Sequence, residues 1–255
     1  SELSQEYSQK SLNDILETLH AFGQSCRLGG SFFEESFNIL KKQNSFSEDE
    51  IRKSLLLIPE IFNIDNLKVR IKAELRSDVI NDFMKIDGSL AKMKAFPIGI
   101  ITHVTAGNVF LSAIDSLVMG LITKNLNIVK LSSSNQDFPM FLAQELRKFD
   151  VKKVVANKFA MLTWKGGDEQ IENIIKSRSQ LIIAWGGEEM IRSYRHNLPL
   201  KTKLLEMGPK FSFQVITLKG LEGKNVDKVA QKIVADILPW NQRACSAPQN
   251  LFVQE

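Results

Sequence analysis

Over residues 1–95, apolar positions recur at helical spacing. Leu12, Ile15, Leu16, Leu19 and Phe22 fall on one face of a helix. A second amphipathic stretch begins at the acidic run Ser47-Glu48-Asp49-Glu50 and continues through Ile51, Leu55, Leu56 and Leu57. Carboxylates in a first turn favour the positive end of the helix dipole, so this run predicts a helix start. Phe32, Phe33, Phe37 and Phe46 are the expected packing residues between these helices. The region reads as mostly helical and offers no obvious chemistry.

The pattern changes at Phe96-Pro97. Over 96–203, short continuous apolar runs alternate with amphipathic ones. Strands are predicted over 98–104, 127–131, 159–163 and 181–184, and helices over 109–122, 138–149, 168–176 and 188–195. Strands that are apolar on both faces, separated by helices, predict a parallel sheet covered on both sides. Right-handed crossovers make it a doubly wound, Rossmann-like α/β domain. A third region, 204–255, predicts strands over 213–218 and 250–254 around a helix over 226–238. It reads as the beginning of a second α/β domain.

Composition narrows the function classes. The 255 residues are 44% hydrophobic and 24% charged, an ordinary globular balance. The net charge is only +4, and Lys and Arg are dispersed with no basic stripe among aromatics, which argues against nucleic-acid binding. Cys26 and Cys245 form no CxxC pair, and His20, His103 and His196 are scattered, so no metal site is expected. No apolar run reaches membrane-spanning length and the first residues are polar. These features together predict a reducing, cytoplasmic setting.

Five loops carry candidate chemistry. Cys245 stands in the polar run Pro239-Trp-Asn-Gln-Arg-Ala-Cys245-Ser-Ala-Pro, between a predicted helix and a predicted strand. A thiolate presented there is a nucleophile, whereas a buried cysteine is only a small apolar residue. Asn108 ends the loop Thr102–Asn108 and has amide donors for an oxyanion; as a local motif it reads first as a helix N-cap. Lys130 with Ser132 and Ser133 can hold a ribose or phosphate, or cap a helix. Gly186-Gly187 lets a phosphate approach backbone N–H groups at a helix start, or simply makes a turn. Glu206 lies in the apolar stretch Leu204-Leu-Glu-Met, a setting that raises a carboxyl pKa toward general-base use; the alternative is an exposed carboxylate paired with Lys203 or Lys210. His103, at the end of a predicted strand, reads as structural. No G-x-G-x-x-G fingerprint is present.

In order and spacing, "FPIGIITHVTAGN", "NIVKLSSSN", "AWGGEE", "LLEMGPK" and "NQRACSAPQ" resemble the aldehyde dehydrogenase superfamily. Within it, "GIITHVTAGNVFLSAIDSLVMGLITKNLNIVKLSSSN" is similar to the acyl reductases of luminous bacteria, the reductase subunits of fatty acid reductase complexes. The resemblance implies an aldehyde dehydrogenase-like fold and an NADPH-dependent reduction of a long-chain acyl group to aldehyde for bioluminescence. Cys245 takes the place of the nucleophile, Asn108 that of the oxyanion donor and Glu206 that of the family's glutamate. Lys130, Ser132 and Ser133 take the place of the adenosine-ribose and phosphate contacts, and Gly186 and Gly187 that of the pyrophosphate turn. Ser133 replaces an acidic residue, which suits a 2′-phosphate. Pro209 stands where the family has a second glycine, and Gly187 where it has a serine.

The implied partners are a long-chain acyl donor, either acyl-protein or acyl-CoA, an acyl-protein synthetase, an acyltransferase and further copies of the chain. Family members extend beyond the point matching Glu255, so this sequence is expected to be the N-terminal portion of such an enzyme. The alternatives are an aldehyde-oxidising dehydrogenase using the same cysteine, and a non-catalytic binding or assembly module.

Overall fold

The computed structural model describes residues 2–43, 46–75, 78–85, 88–223 and 225–254. The N-terminal layer holds α1 (Glu2–Ser8), α2 (Leu12–Ser25), α3 (Ser31–Gln43), α4 (Glu48–Leu55), α5 (Ile58–Ile61) and α6 (Ile64–Leu75). Ser47 caps α4, its hydroxyl accepting from Glu50 N at 3.2 Å, so the acidic run does begin a helix. A short antiparallel ribbon follows, β1 (Met84–Lys85) with β2 (Lys92–Met93), in a region that sequence reads as helical.

Next come β3 (Ile100–Val104), α7 (Ser112–Ile122), β4 (Leu126–Lys130), α8 (Asp137–Phe149) and β5 (Phe159–Leu162). They are followed by α9 (Glu169–Arg178), β6 (Leu181–Trp185), α10 (Glu188–Arg195) and β7 (Lys203–Met207). The five strands form one parallel sheet in the order β5-β4-β3-β6-β7. The chain winds outward from β3 to β5, returns to β6 beside β3, and winds the other way. The strand order therefore reverses between β3 and β6, where doubly wound sheets open a crevice at their carboxyl ends.

One apolar cluster runs from the N-terminal layer through α7 and α8 to the sheet, including Tyr7, Leu19, Phe33, Leu117, Phe138 and Val129. A smaller one joins Val104 and Ile182 to Ile175 of α9 and Tyr194 of α10 on the other face. The helices α1–α6 thus share a core with the sheet rather than standing as a separate unit. Tyr7 reinforces this by donating its hydroxyl to Leu121 O at 2.9 Å. His103 is buried in the sheet, with Nδ1 2.7 Å from Ser116 Oγ and Nε2 3.0 Å from Asn127 Oδ1, a structural role.

The boundary that sequence placed between 203 and 204 falls inside β7, which pairs with β6 from Lys203 to Met207. Beyond it lie β8 (Ser212–Ile216), α11 (Leu218–Leu221), α12 (Val226–Ile237) and β9 (Pro248–Val253). β8 and β9 pair in parallel as a separate two-stranded sheet.

Candidate active site

Two clefts open at the carboxyl ends of the five-stranded sheet and share Ala106, Trp185, Gly186 and Gly187. The first, about 450 Å³, is lined by Asn108, Gly208, Phe211, Arg243 and Cys245 among others. The second, about 640 Å³, is lined by Thr105, Lys130, Ser132, Ser133 and Trp164 among others. Trp185 ends β6 and stands where they meet.

Cys245 is exposed, which removes the core-packing reading. Ala247 N donates to Ala244 O at 3.1 Å, closing a turn around the thiol, and Ser212 Oγ donates to Cys245 O at 2.6 Å. The approach to this turn is strained. Trp240, Asn241 and Gln242 have φ of 59°, 50° and 60°, three successive non-glycine residues in the left-handed region. Packing holds them there. The Trp240 ring lies 4.9 Å from Phe110 and 5.9 Å from Phe46, and Trp240 N donates to Glu50 Oε1 at 2.9 Å.

Asn108 does not cap α7, whose first residue is Ser112. Its side-chain amide instead donates to Arg243 O at 2.6 Å, tying the loop after β3 to the thiol loop. An amide nitrogen carries two hydrogens, so this bond orients the second one. Gly107 permits the close approach: a Cβ there would meet Ser134 Oγ, Ser132 Oγ at 2.5 Å and Ser132 Cβ at 3.1 Å.

In the second cleft, the Lys130 ammonium lies 5.7 Å from the Trp164 ring. Burial pushes its pKa down, and the charge of Glu172 acts in the opposite sense. Glu172 itself accepts from Gly167 N at 3.0 Å and Ser193 Oγ at 3.2 Å. Trp185 Nε1 is buried without a partner among the described residues. Gly187 is the N-cap of α10, and a Cβ on it would meet nothing within 4 Å. A lysine, a buried indole donor on Trp185 with no partner among the described residues and an open helix start suit an anionic, hydrogen-bonding ligand such as a dinucleotide.

Glu206 corrects the expectation of an apolar setting. It is exposed and takes a bidentate pair from Arg195, with Nε at 2.9 Å and the terminal nitrogen at 2.6 Å from Oε1. Neither Lys203 nor Lys210 is its partner, and it is not among the residues lining the thiol cleft. The structure thus brings Cys245, Asn108, Gly186 and Gly187 to one cleft and Lys130, Ser132 and Ser133 to its neighbour. Sequence reading missed Trp185, Gly107, Arg243 and the Glu50–Trp240 anchor. The glycine preceding Asn108 was the one available signal among them.

Solved structures define the class. The glyceraldehyde-3-phosphate dehydrogenase GapN of Methanocaldococcus jannaschii, solved with NADP, superposes with a TM-score of 0.76 at 14% identity, covering 100% of this chain and 53% of its own. An aldehyde dehydrogenase of Brucella melitensis gives 0.75 at 12% identity, covering 100% and 50%. The chain has the aldehyde dehydrogenase fold. Residues 7–255 match the family model described as Acyl-CoA reductase (LuxC), and the chain belongs to that family. It is 30% identical over 183 residues to the long-chain acyl-protein thioester reductase of Vibrio harveyi, covering 71% of this chain and 37% of that protein. It is 27% identical over 253 residues to the one of Photorhabdus luminescens, covering 97% and 51%. The chain therefore spans between about a third and a half of the length of these relatives.

Proposed function

We propose that this chain carries the nucleophile and cofactor cleft of an NADPH-dependent long-chain acyl reductase that forms fatty aldehyde. The observation that carries the reading is the exposed Cys245 in a cleft with Asn108, joined through Trp185–Gly187 to the cleft of Lys130. Family membership and the relatives' names supply the substrate class.

The Cys245 thiolate attacks the carbonyl carbon of an acyl thioester. The carbonyl π electrons move to oxygen, and that oxyanion accepts from the free hydrogen of the Asn108 amide. Collapse expels the donor's thiolate and leaves the acyl group on Cys245 Sγ. One such oxyanion donor contributes about 3 kcal/mol. The hydride that reduces this thioester is the contribution of a bound nicotinamide cofactor. Lys130, Ser132 and Ser133 hold the cofactor's ribose and 2′-phosphate, and Gly186 and Gly187 admit its pyrophosphate to the start of α10. Glu206 lies on the strand leading to the thiol cleft, and a part in proton movement requires it to leave Arg195. The acyl donor is an acyl-protein or acyl-CoA. An acyl-protein synthetase, an acyltransferase and further copies of this chain are the expected partners, in a bioluminescent cytoplasm.

Incubation of the intact protein with radiolabelled acyl-CoA tests the reading. Label is expected on Cys245, absent in Cys245→Ala, and formed about 100-fold more slowly in Asn108→Ala. Label persisting in Cys245→Ala overturns it. Acid release from aldehyde with NADP, without acyl reduction, would mark an oxidising dehydrogenase instead.

A further inference from the structure

A third cavity, about 790 Å³, lies at the opposite, amino ends of β3, β4 and β6. Its wall includes Leu75, Ile80, Phe96, Ile98 and Leu181, and its cations are Lys10, Lys94 and Lys124. Lys124 is only 5% exposed. A buried ammonium is costly unless a charge or several good acceptors compensate it. Here the contact is one long bond to a neutral amide, Lys124 Nζ to Asn81 Oδ1 at 3.4 Å. No carboxylate among the described residues forms an ion pair with Lys10, Lys94 or Lys124. Burial pushes the Lys124 pKa down and the charge of Lys94 pushes it further, so two like charges face one space. Lys94 in turn sits 5.8 Å from the rings of both Phe83 and Phe96.

The backbone supplies a second observation. Lys124 N donates to Leu121 O at 2.9 Å and Asn125 N to Gly120 O at 3.1 Å, the paired bonds that close a helix end through a left-handed residue. That residue is ordinarily glycine, yet here it is Lys124 with φ of 59°. A left-handed, non-glycine backbone and a buried ammonium with no carboxylate partner among the described residues coincide at one side chain.

We propose that this cavity binds an amphiphilic anion, its carboxylate or phosphate head on Lys124 and Lys94 and its apolar body against Phe96, Ile98 and Leu181. The site lies at the other end of the sheet from Cys245 and is independent of the reaction proposed there.

Thermal unfolding of the intact protein with octanoate, octyl phosphate, inorganic phosphate or octanol tests it. At tenfold excess over Kd, octanoate or octyl phosphate is expected to raise Tm by roughly 3 °C. Octanol should leave Tm unchanged. Lys124→Gly suits the left-handed backbone, so its Tm without ligand should equal or exceed that of the parent while its response to both anions disappears. Lys94→Gln should weaken the response. An unaltered anion response in Lys124→Gly, or an octanol shift equal to that of octanoate, overturns the proposal. The full shift with inorganic phosphate alone overturns the assignment of the apolar body. Octanoate and octyl phosphate titrations then separate a carboxylate from a phosphate head.

Discussion

Replacing Gly107 by alanine puts a methyl group where two serines already lie. The new Cβ meets Ser132 Oγ at 2.5 Å and Ser132 Cβ at 3.1 Å, with Ser134 Oγ nearby. Rotating the hydroxyls away breaks the Ser132–Ser134 bond of 3.0 Å, and Ser132 Cβ is fixed to the backbone and cannot rotate. The loop itself must therefore retreat by some tenths of an ångström, carrying Asn108 with it. Overpacking of this kind costs about 1–3 kcal/mol. Retreat also stretches the 2.6 Å bond from Asn108 to Arg243 O, so the thiol loop loses a tether. Urea unfolding of Gly107→Ala, Ser134→Gly and the double variant measures the coupling between the two positions. We expect the double variant to recover roughly 1 kcal/mol of the loss, as contacting residues are non-additive on that scale. Alkylation of Cys245 by iodoacetamide should change in rate for the single variant. A Gly107→Ala protein within about 0.5 kcal/mol of the parent, with no coupling, would refute the close approach of these two loops.

Three other outcomes follow from the geometry. Ser133→Glu places a carboxylate in the Lys130 cleft, and we expect NADPH affinity to fall about tenfold with NADH affinity unchanged, read by quenching of tryptophan fluorescence. Glu206→Gln removes an exposed ion pair with Arg195, so the urea midpoint should stay close to that of the parent; acylation of Cys245 should stay within about threefold, and a 100-fold loss would place this carboxylate in the chemistry. Burial holds the His103 pKa down at about 4, below the ordinary 6.5, so the unfolded chain takes up this proton first. Its contribution is therefore full above pH 6.5 and lost as pH falls from 6.5 to 4, about 3 kcal/mol over that window, and urea midpoints across it should show a shallower slope in His103→Gln.

The sheet was readable because its inner strands are apolar on both faces: Ile101, Val104, Val129 and Ile182 are buried as their runs predict. β7 escaped because it is an edge strand with Lys203 and Glu206 among its residues and little of it buried. The β1–β2 ribbon has two residues per strand, all exposed, so it carries no period to detect. In the site, the order of loops along the chain was enough to gather Asn108, Lys130 and Gly186 near one sheet end, since loops after parallel strands share that end; Cys245 precedes β9 of the other sheet, and the bond from Asn108 to Arg243 O ties its loop there. Partner choice was not readable. Asn108 looked like a cap because its neighbours permit one, but its acceptor is 135 residues away. Glu206 looked apolar because its sequence neighbours are, whereas alternation along the strand presents it to Arg195. Nothing in the letters Trp240-Asn-Gln predicts a left-handed run, which local preference resists and long-range packing enforces.

The anchor between Glu50 and Trp240 also has a direction in time. The two residues are 190 positions apart, so α4 leaves the ribosome long before the segment it will hold. Until Trp240 arrives, the rings of Phe46 and Phe110 lack the indole that packs on both. The setting of Cys245 thus waits for a segment made long after α4. A nascent chain ending before Trp240 would hold the residues of the Lys130 cleft without the anchor or Cys245.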